Sequence, residues 1–201
     1  MTAPIDFYFD FSSPYGYLAA QRIEALAARH GRSVDWRPML LGVIFKETGA
    51  TPLTQVPLKG DYSRRDMVRS ARFHGIDEFR IPSRFPIPTQ AAARIVLALK
   101  ATDAVLATKV AKALYRAYFV EDLDISDPDV AAEVAGRAGA DAAAMRAAID
   151  DPKVKEDLKD AVAEAMKAGV CGSPYFVVDG EPFWGLDRFP QLERWLATGG
   201  F

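Results

Sequence analysis

The sequence predicts an α/β fold in which both ends of the chain contribute to one mixed sheet and a large helical insertion separates them. Apolar alternation near the N-terminus predicts a strand, a helix and a second strand. An Asp-Gly pair near the C-terminus predicts a β-hairpin, which a final helix follows. An alanine-rich segment between these ends has the composition of consecutive helices.

The N-terminal segment has the pattern of a βαβ unit. The run IDFYFDF at residues 5–11 alternates aromatic and acidic side chains, which is typical of a strand. From Pro14 onward apolar residues recur on one helical face, and His30-Gly31 is a C-terminal stop signal. The run SVDWRPM at residues 33–39 predicts a second strand, which should lie parallel to the first.

The middle of the chain divides into a connection and a helical block. Residues 42–89 are dense in proline, glycine and arginine, which predicts a long connection with one helix at residues 63–74. Residues 90–167 are rich in alanine and predict four to six helices. Both prolines of this block follow an aspartate, Asp127 or Asp151, in the order of an N-cap and an N1 proline that begins a helix.

The C-terminal segment has the pattern of a hairpin followed by a helix. Two short apolar runs in SPYFVVDGEPFWG, residues 173–185, flank Asp179-Gly180. Asp187 is a candidate N-cap of the last helix, although its carboxylate could bind a ligand instead. Together with the N-terminal βαβ unit, this segment gives the element order of a thioredoxin-like fold interrupted by helices.

Length and charge restrict the classes to which the chain can belong. Its 201 residues are enough for one large domain or a domain with an insertion, and half of them are apolar. The pattern predicts a thioredoxin-like domain at residues 1–45 and 170–201, with a connection and helical insertion domain at residues 46–169. The net charge of −2 produces no field that favours nucleic acid or an anionic membrane.

Cysteine usage and the lack of long apolar segments predict the compartment. Cys171 is the only cysteine, which excludes an internal disulfide and fits a reducing environment. The N-terminus has no basic segment followed by a long apolar run, and no stretch approaches the ~20 apolar residues of a spanning helix. We therefore expect a cytoplasmic protein with no membrane partner.

The junction between the first strand and the first helix is the first candidate site. In thioredoxin-like oxidoreductases this junction carries Cys-x-x-Cys, whose thiol pKa is lowered at the helix N-terminus. Here the frame reads Ser13-Pro14-Tyr15-Gly16, so thiol–disulfide exchange at this corner is excluded. The Ser13 hydroxyl can cap the helix as an acceptor, or donate to a thiolate brought by another molecule.

A Ser-Pro pair before the first hairpin strand is the second candidate site. In GVCGSPYFVVDG, the Ser173-Pro174 bond stands where thioredoxin-like folds keep a cis proline. A cis bond there presents the backbone of Ser173 to a bound peptide, as an added strand would. Cys171, three residues before the proline, is either an ordinary packing residue or a reactive thiol.

Basic residues of the long connection are the third candidate. Lys59, in VPLKGDY, is either a solvated lysine or one that reaches an anionic ligand. Arg65, Arg69 and Arg72 fall on one helical face, which is either a solvated stripe or a wall that binds carboxylates. The two histidines of the chain form no pattern that predicts a metal site.

Four motifs, DFYFDFSSPYGYLA, VPLKGDY, GVCGSPYFVVDGEPFWG and LDRFPQLERWL, together resemble the 2-hydroxychromene-2-carboxylate isomerase family. That family belongs to the DsbA-like branch of the thioredoxin superfamily and is related to the kappa-class glutathione transferases. The resemblance extends over nearly the whole chain, with the helical block where the family has its insertion. It implies a thioredoxin-like fold of the DsbA and kappa-class transferase type, with glutathione as cofactor.

The resemblance also implies which residues bind glutathione. Ser13 would face the sulfur and act in catalysis, and Lys59 would lie near the glycine end. Ser173 would pair through its backbone with the cysteinyl unit, while Asp187 would bind the γ-glutamyl end. The complete implied set is Ser13, Pro14, Lys59, Ser173, Pro174, Leu186 and Asp187.

The activity implied is glutathione-dependent cis–trans isomerisation of 2-hydroxychromene-2-carboxylate, or a close analogue, to trans-o-hydroxybenzylidenepyruvate in aromatic catabolism. The partners implied are a small aromatic 2-oxo acid or chromene carboxylate and a second copy of the chain in a homodimer. Two alternatives remain open. One is a kappa-type glutathione transferase that forms stable conjugates, and the other is a DsbA-like binding protein without chemistry.

Overall fold

Four strands from the two ends of the chain form one mixed sheet in the computed structural model, which describes residues 2–201. The strands are β1 (Ile5–Phe9), β2 (Val34–Pro38), β3 (Tyr175–Val178) and β4 (Glu181–Trp184). Their order in the sheet is β2-β1-β3-β4, with β1 and β2 parallel and the other two pairings antiparallel. The predicted mixed sheet is therefore confirmed.

Side chains pack against both faces of the central strand β1. Its C-terminal end, from which the site is built, is therefore held in a fixed position. Ile5, Phe7 and Phe9 are fully buried on one face, and Phe7 stacks on Phe176 of β3 with 5.3 Å between ring centroids. On the opposite face, Tyr8 packs edge-on against Tyr175. These cross-strand aromatic pairs stabilise the pairing of the N-terminal and C-terminal segments.

Within the described residues, ten α-helices accompany the sheet. They are α1 (Pro14–Ala20), α2 (Ile23–Arg29), α3 (Leu41–Thr48), α4 (Lys59–Phe73), α5 (Gln90–Lys100), α6 (Ala104–Phe119), α7 (Pro128–Arg137), α8 (Ala142–Asp150), α9 (Pro152–Lys167) and α10 (Phe189–Thr198). Five of them lie between residues 90 and 167, as the alanine-rich composition predicts. None of the helices in residues 2–201 combines the length and apolarity that crossing a membrane requires.

Helix boundaries depart from the sequence predictions at three places. The helix predicted from Pro14 onward is broken at Arg22, whose φ of −125° lies outside the helical range. Apolar periodicity continues across the break, so the pattern alone does not reveal it. The long connection holds two α-helices instead of one. They are α3, which buries Leu41 and Ile44 against the core, and α4, which begins at Lys59 and not near residue 63.

The third departure concerns the last helix. Asp187 is not its N-cap: the residue lies in a 3₁₀ turn, Leu186–Arg188, and α10 begins only after that turn, without a side-chain cap. Asp127 and Asp151, by contrast, accept backbone N–H groups at the starts of α7 and α9, as predicted. The prediction at Asp187 was wrong because a short 3₁₀ turn leaves no separate signal in the sequence.

Candidate functional site

A cavity of about 1330 Å³ lies where the end of β1 meets the loop before β3. It brings together residues from the corner, from the Ser-Pro loop and from the turn after β4. Six of the seven residues implied in glutathione binding line it: Ser13, Pro14, Ser173, Pro174, Leu186 and Asp187. The sequence separation of these segments shows that the tertiary fold, and not local chain geometry, assembles the site.

Ser13 occupies the centre of the corner and is almost completely buried. Its Oγ accepts a hydrogen bond of 3.0 Å from the Gly16 N–H, which is the predicted capping role. The same hydroxyl donates a 2.8 Å hydrogen bond to the carbonyl oxygen of Ser173. A hydroxyl carries only one hydrogen, and Ser13 donates that hydrogen to the Ser-Pro loop in this structure.

The Ser173-Pro174 bond is cis and adjoins the Ser13 hydroxyl, as predicted. Ser173 Oγ also accepts a 3.2 Å hydrogen bond from the Asp10 N–H, so this loop is bound to the end of β1 at two points. The backbone N–H of Ser173 has no hydrogen-bond partner among residues 2–201. This donor stands beside the cavity and is available to an extended peptide ligand.

Gly16 permits the close approach of the corner and the loop. A Cβ at this position would lie 2.7 Å from the Tyr115 Oη and 2.9 Å from the Ser173 Oγ. Both contacts are shorter than any that a real methyl group makes, so a side chain would separate these groups. The sequence identified Gly16 only as the position of a missing cysteine. Its packing role depends on Tyr115 of α6 and Ser173, which are distant in sequence.

Asp10 is a buried carboxylate beneath the corner that the sequence predictions did not include. Its oxygens accept hydrogen bonds from the Ser12 N–H and hydroxyl, from the Thr89 hydroxyl at 3.1 Å and from the Leu41 N–H at 2.6 Å. Burial raises the pKa of Asp10 above its ordinary value, and these donors oppose that shift. The local pattern gives no separate signal for Asp10, because Asp6 belongs to the same alternation of aromatic and acidic residues.

Tyr15 and Asp66 form a polar contact on the cavity wall. The Tyr15 hydroxyl donates to an Asp66 carboxylate oxygen at 2.5 Å, and Arg69 binds the other oxygen. Burial, followed by this hydrogen bond, raises the Tyr15 pKa well above 10. Burial alone would raise the Asp66 pKa, but hydrogen bonds from Tyr15 and Arg69 lower it overall. Tyr15 therefore keeps its proton at neutral pH and Asp66 is ionised.

The basic residues that the sequence singled out in the connection do not line the cavity, although Arg69 pairs with Asp66, which does. Lys59 is the first residue of α4 and is exposed, and it is not among the cavity-lining residues. Arg65, Arg69 and Arg72 are also exposed and do not line the cavity. Their positions favour the solvated stripe over a carboxylate-binding wall. The role of Lys59 in binding glutathione stays a prediction.

Cys171 lines the cavity and is half-buried. Burial raises the pKa of its thiol above the ordinary value, so the protonated form predominates near neutral pH. A thiol in that state is a weak nucleophile. The environment thus favours the packing role for Cys171 over the reactive one.

Comparisons with known proteins agree on the family and the fold. The family model for a DSBA-like thioredoxin domain matches residues 4–197. The 2-hydroxychromene-2-carboxylate isomerase of Sphingobium xenophagum is 29% identical over 204 residues, which cover 98% of this chain and 99% of that protein. Human glutathione S-transferase kappa 1 is 27% identical over 214 residues, which cover 96% and 92%. Curated relatives of both kinds therefore match the chain over nearly its full length.

A solved structure gives the same result in three dimensions. The selenomethionine form of a 2-hydroxychromene-2-carboxylate isomerase superposes with a TM-score of 0.85 at 25% sequence identity. The match covers 97% of this chain and 94% of that one. The similarity therefore includes the helical insertion as well as the sheet.

Proposed function

This chain belongs to the family of DSBA-like thioredoxin domains, and from that premise we propose that it is a glutathione-dependent isomerase. The substrate proposed is 2-hydroxychromene-2-carboxylate or a close analogue, and the product is trans-o-hydroxybenzylidenepyruvate. The observation that carries the proposal is the meeting of Ser13, the Ser173-Pro174 loop and Asp187 around one cavity. Relatives with this isomerase activity match the whole chain, which supports it further.

The residues of the cavity fit a thiol tripeptide. Ser173 offers an unpartnered N–H beside a cis proline, where an extended peptide can pair as an added strand. The N–H of Tyr15 also has no partner among residues 2–201 and lies next to Ser13. A volume of about 1330 Å³ leaves room for a small aromatic acid beside the tripeptide.

Bound glutathione would supply a thiolate whose reversible addition to a conjugated enone permits rotation about the former double bond. The Ser13 hydroxyl would stabilise the sulfur by turning its hydrogen from the Ser173 carbonyl toward it. Its Oγ need not move, because the Gly16 N–H holds the oxygen in place. The capping role and the donor role are therefore compatible in one side chain. Leu186 and Asp187 would hold the γ-glutamyl end.

A kappa-type glutathione transferase is the second candidate function, because human glutathione S-transferase kappa 1 matches the chain almost as well. The two functions differ in the fate of the sulfur. An isomerase returns free glutathione, whereas a transferase retains it in a conjugate. A DsbA-like binding protein without chemistry is the third possibility.

A mass-balance assay with glutathione and a panel of hydroxychromene carboxylates and benzylidenepyruvates distinguishes these functions. We expect trans product at constant free glutathione, with many turnovers for each glutathione molecule. Stoichiometric loss of free thiol with a stable conjugate would assign a transferase. Isomerisation at the same rate without glutathione, or no binding of glutathione, would contradict the proposal.

We further propose that the protein acts in the cytoplasm as a homodimer, and that residues 1–45 and 170–201 form a unit distinct from residues 46–169. Exposed apolar side chains near the start of α4, Leu53, Leu58 and Tyr62, support self-association. Sedimentation equilibrium should give about twice the chain mass of 22.0 kDa at micromolar concentration. A monomer mass there would contradict the dimer.

A further inference from the structure

Arg22 lines the cavity at the break between α1 and α2, and the sequence did not single it out. Its guanidinium carbon lies 5.6 Å from the centre of the Phe189 ring. One of its terminal nitrogens is 2.5 Å from Nδ1 of His74, which follows α4 and lines the same cavity. Arg22 is half-buried, so the ring and the imidazole hold its head group in a fixed place.

The contact between Arg22 and His74 defines the tautomer of the imidazole. A guanidinium only donates, so Nδ1 of His74 must accept, and the ring proton is on Nε2. Burial and the charge of Arg22 lower the His74 pKa below its ordinary value, which agrees with a neutral ring. Nε2 has no hydrogen-bond partner among residues 2–201. Because the two ring nitrogens point in divergent directions, this Nε2 donor points away from Arg22, and His74 contacts the guanidinium through Nδ1 alone.

Arg22 forms no ion pair with any of the carboxylates that line the cavity. Three carboxylates line the cavity, and each has an arginine partner: Asp66 with Arg69, Asp187 with Arg188 and Glu193 with Arg29. Arg22 lines the same cavity and has no carboxylate within 4.0 Å among the described residues. Arg29 is the main cause of the lowered Glu193 pKa and Arg22 adds to it from a greater distance, so the Arg22 head group keeps free N–H groups for an anionic ligand.

We propose that the Arg22 guanidinium, positioned by Nδ1 of His74, forms a subsite that binds a carboxylate of the ligand in this cavity. The subsite rests on the proposed function for the identity of its ligand, because two candidate ligands carry a suitable group. One is the α-carboxylate of the γ-glutamyl unit of glutathione, and the other is the carboxylate of the aromatic 2-oxo acid. A guanidinium that packs against Phe189 with one face can bind either carboxylate through its edge.

Isothermal titration of two matched ligand pairs tests the subsite. The first pair is glutathione and 4-aminobutyryl-cysteinyl-glycine, which lacks only the γ-glutamyl carboxylate. The second is benzylidenepyruvate and benzylideneacetone, in which a methyl group replaces the carboxylate. Arg22→Gln and His74→Phe are the test variants. Arg64→Gln is the control, because it removes one charge from an exposed position of α4 that does not line the cavity.

In Arg22→Gln we expect weaker binding of the carboxylate-bearing ligand of one pair. Its dissociation constant should rise roughly tenfold to a hundredfold, because one charge-assisted contact is lost. Its carboxylate-free partner should bind as it does to the wild type. His74→Phe should show the same selectivity with a smaller change, because the guanidinium remains. The pair that responds identifies which ligand carries the bound carboxylate.

The outcomes for the subsite and for the proposed function are separate. If the wild type binds glutathione and neither variant distinguishes the members of either pair more than Arg64→Gln does, the subsite is wrong and the function stands. Equal loss of both members of a pair in both variants also overturns the subsite. If glutathione does not bind but the response to benzylidenepyruvate is selective, the function is wrong and the subsite stands. If no ligand binds, both are wrong.

Discussion

Ser13 Oγ donates a 2.8 Å hydrogen bond to the carbonyl oxygen of Ser173, a residue 160 positions further along the chain. This contact joins the strand–helix corner to the cis-proline loop, two of the segments that line the cavity. A second hydrogen bond, from the Asp10 N–H to the Ser173 Oγ, ties the same loop to the residue that follows β1. Two hydrogen bonds therefore hold these two segments together, which reduces the ordering that a ligand must impose.

Gly16→Ala should separate the corner from the loop. Because the new methyl group would lie 2.7 Å from the Tyr115 Oη, we expect the free energy of unfolding to fall by roughly 1–3 kcal/mol, as for overpacked cores. Gly42→Ala is the matched control. A Cβ there meets nothing within 4 Å in α3, and the change should stabilise by about 0.5–1 kcal/mol. Urea unfolding of the two variants measures the difference, and equal effects would refute the packing role of Gly16.

The parts of the site that the sequence predicted are those with short local signals. Ser-Pro at a strand–helix junction, Ser-Pro before a strand and Asp-Gly in a hairpin each depend on residues adjacent in the chain. The turn at Asp179-Gly180 adopts the positive φ values that its sequence favours, 52° and 90°. The cis bond at Pro174 followed from the fold that these signals predicted together.

The parts that the sequence did not predict depend on distant partners. Nothing near Asp10 indicates that Thr89 and the start of α3 will direct their donors at its carboxylate. Likewise, the pattern around Arg22 shows neither the break in the helix nor the contact with His74. Such residues can be recognised only after packing has placed remote segments side by side.

Asp10→Asn should change how stability depends on pH. Burial raises the Asp10 pKa, so the folded protein binds this proton more readily than the unfolded chain does. The contribution of Asp10 to the free energy of unfolding therefore falls as pH rises from the unfolded pKa of ~3.9 through the folded value. The difference in unfolding free energy, variant minus wild type, should become more positive across that window. Urea unfolding between pH 3 and 7 measures it, and a difference independent of pH would refute this sign.

Tyr15→Phe should raise the pKa of Asp66. The Tyr15 hydroxyl donates to the carboxylate at 2.5 Å, and the variant removes this donor while the ring remains. Since the lowered Asp66 pKa stabilises the folded state above the unfolded pKa, part of that stability should be lost at neutral pH. Tyr62→Phe is the control, because the Tyr62 hydroxyl contacts Arg69 and not Asp66. Carboxyl-carbon NMR titrations of both variants give the pKa, and an unchanged value in Tyr15→Phe would contradict the expectation.

Ser12→Ala provides the control for the corner itself. The Ser12 hydroxyl lines the same cavity, but its hydrogen is donated to Asp10 at 2.7 Å. Replacing Ser12 removes a hydroxyl from the residue next to Ser13, but it does not remove the proposed donor to the glutathione sulfur. We therefore expect Ser12→Ala to lower stability and to leave the pKa of bound glutathione as it is in the wild type.

Ser13→Ala should raise the thiol pKa of bound glutathione. Loss of the cap to the Gly16 N–H should lower stability by roughly 0.5–2 kcal/mol in any case. If the hydroxyl hydrogen also turns from Ser173 to the sulfur, the variant loses a charge-assisted bond of ~1.5–3 kcal/mol, which corresponds to about one to two pKa units. Turnover near neutral pH would then fall roughly tenfold or more with little change in glutathione affinity. Titration of the thiolate absorbance in wild type, Ser12→Ala and Ser13→Ala measures the shift. Superimposable curves for all three proteins would leave Ser13 as a helix cap alone.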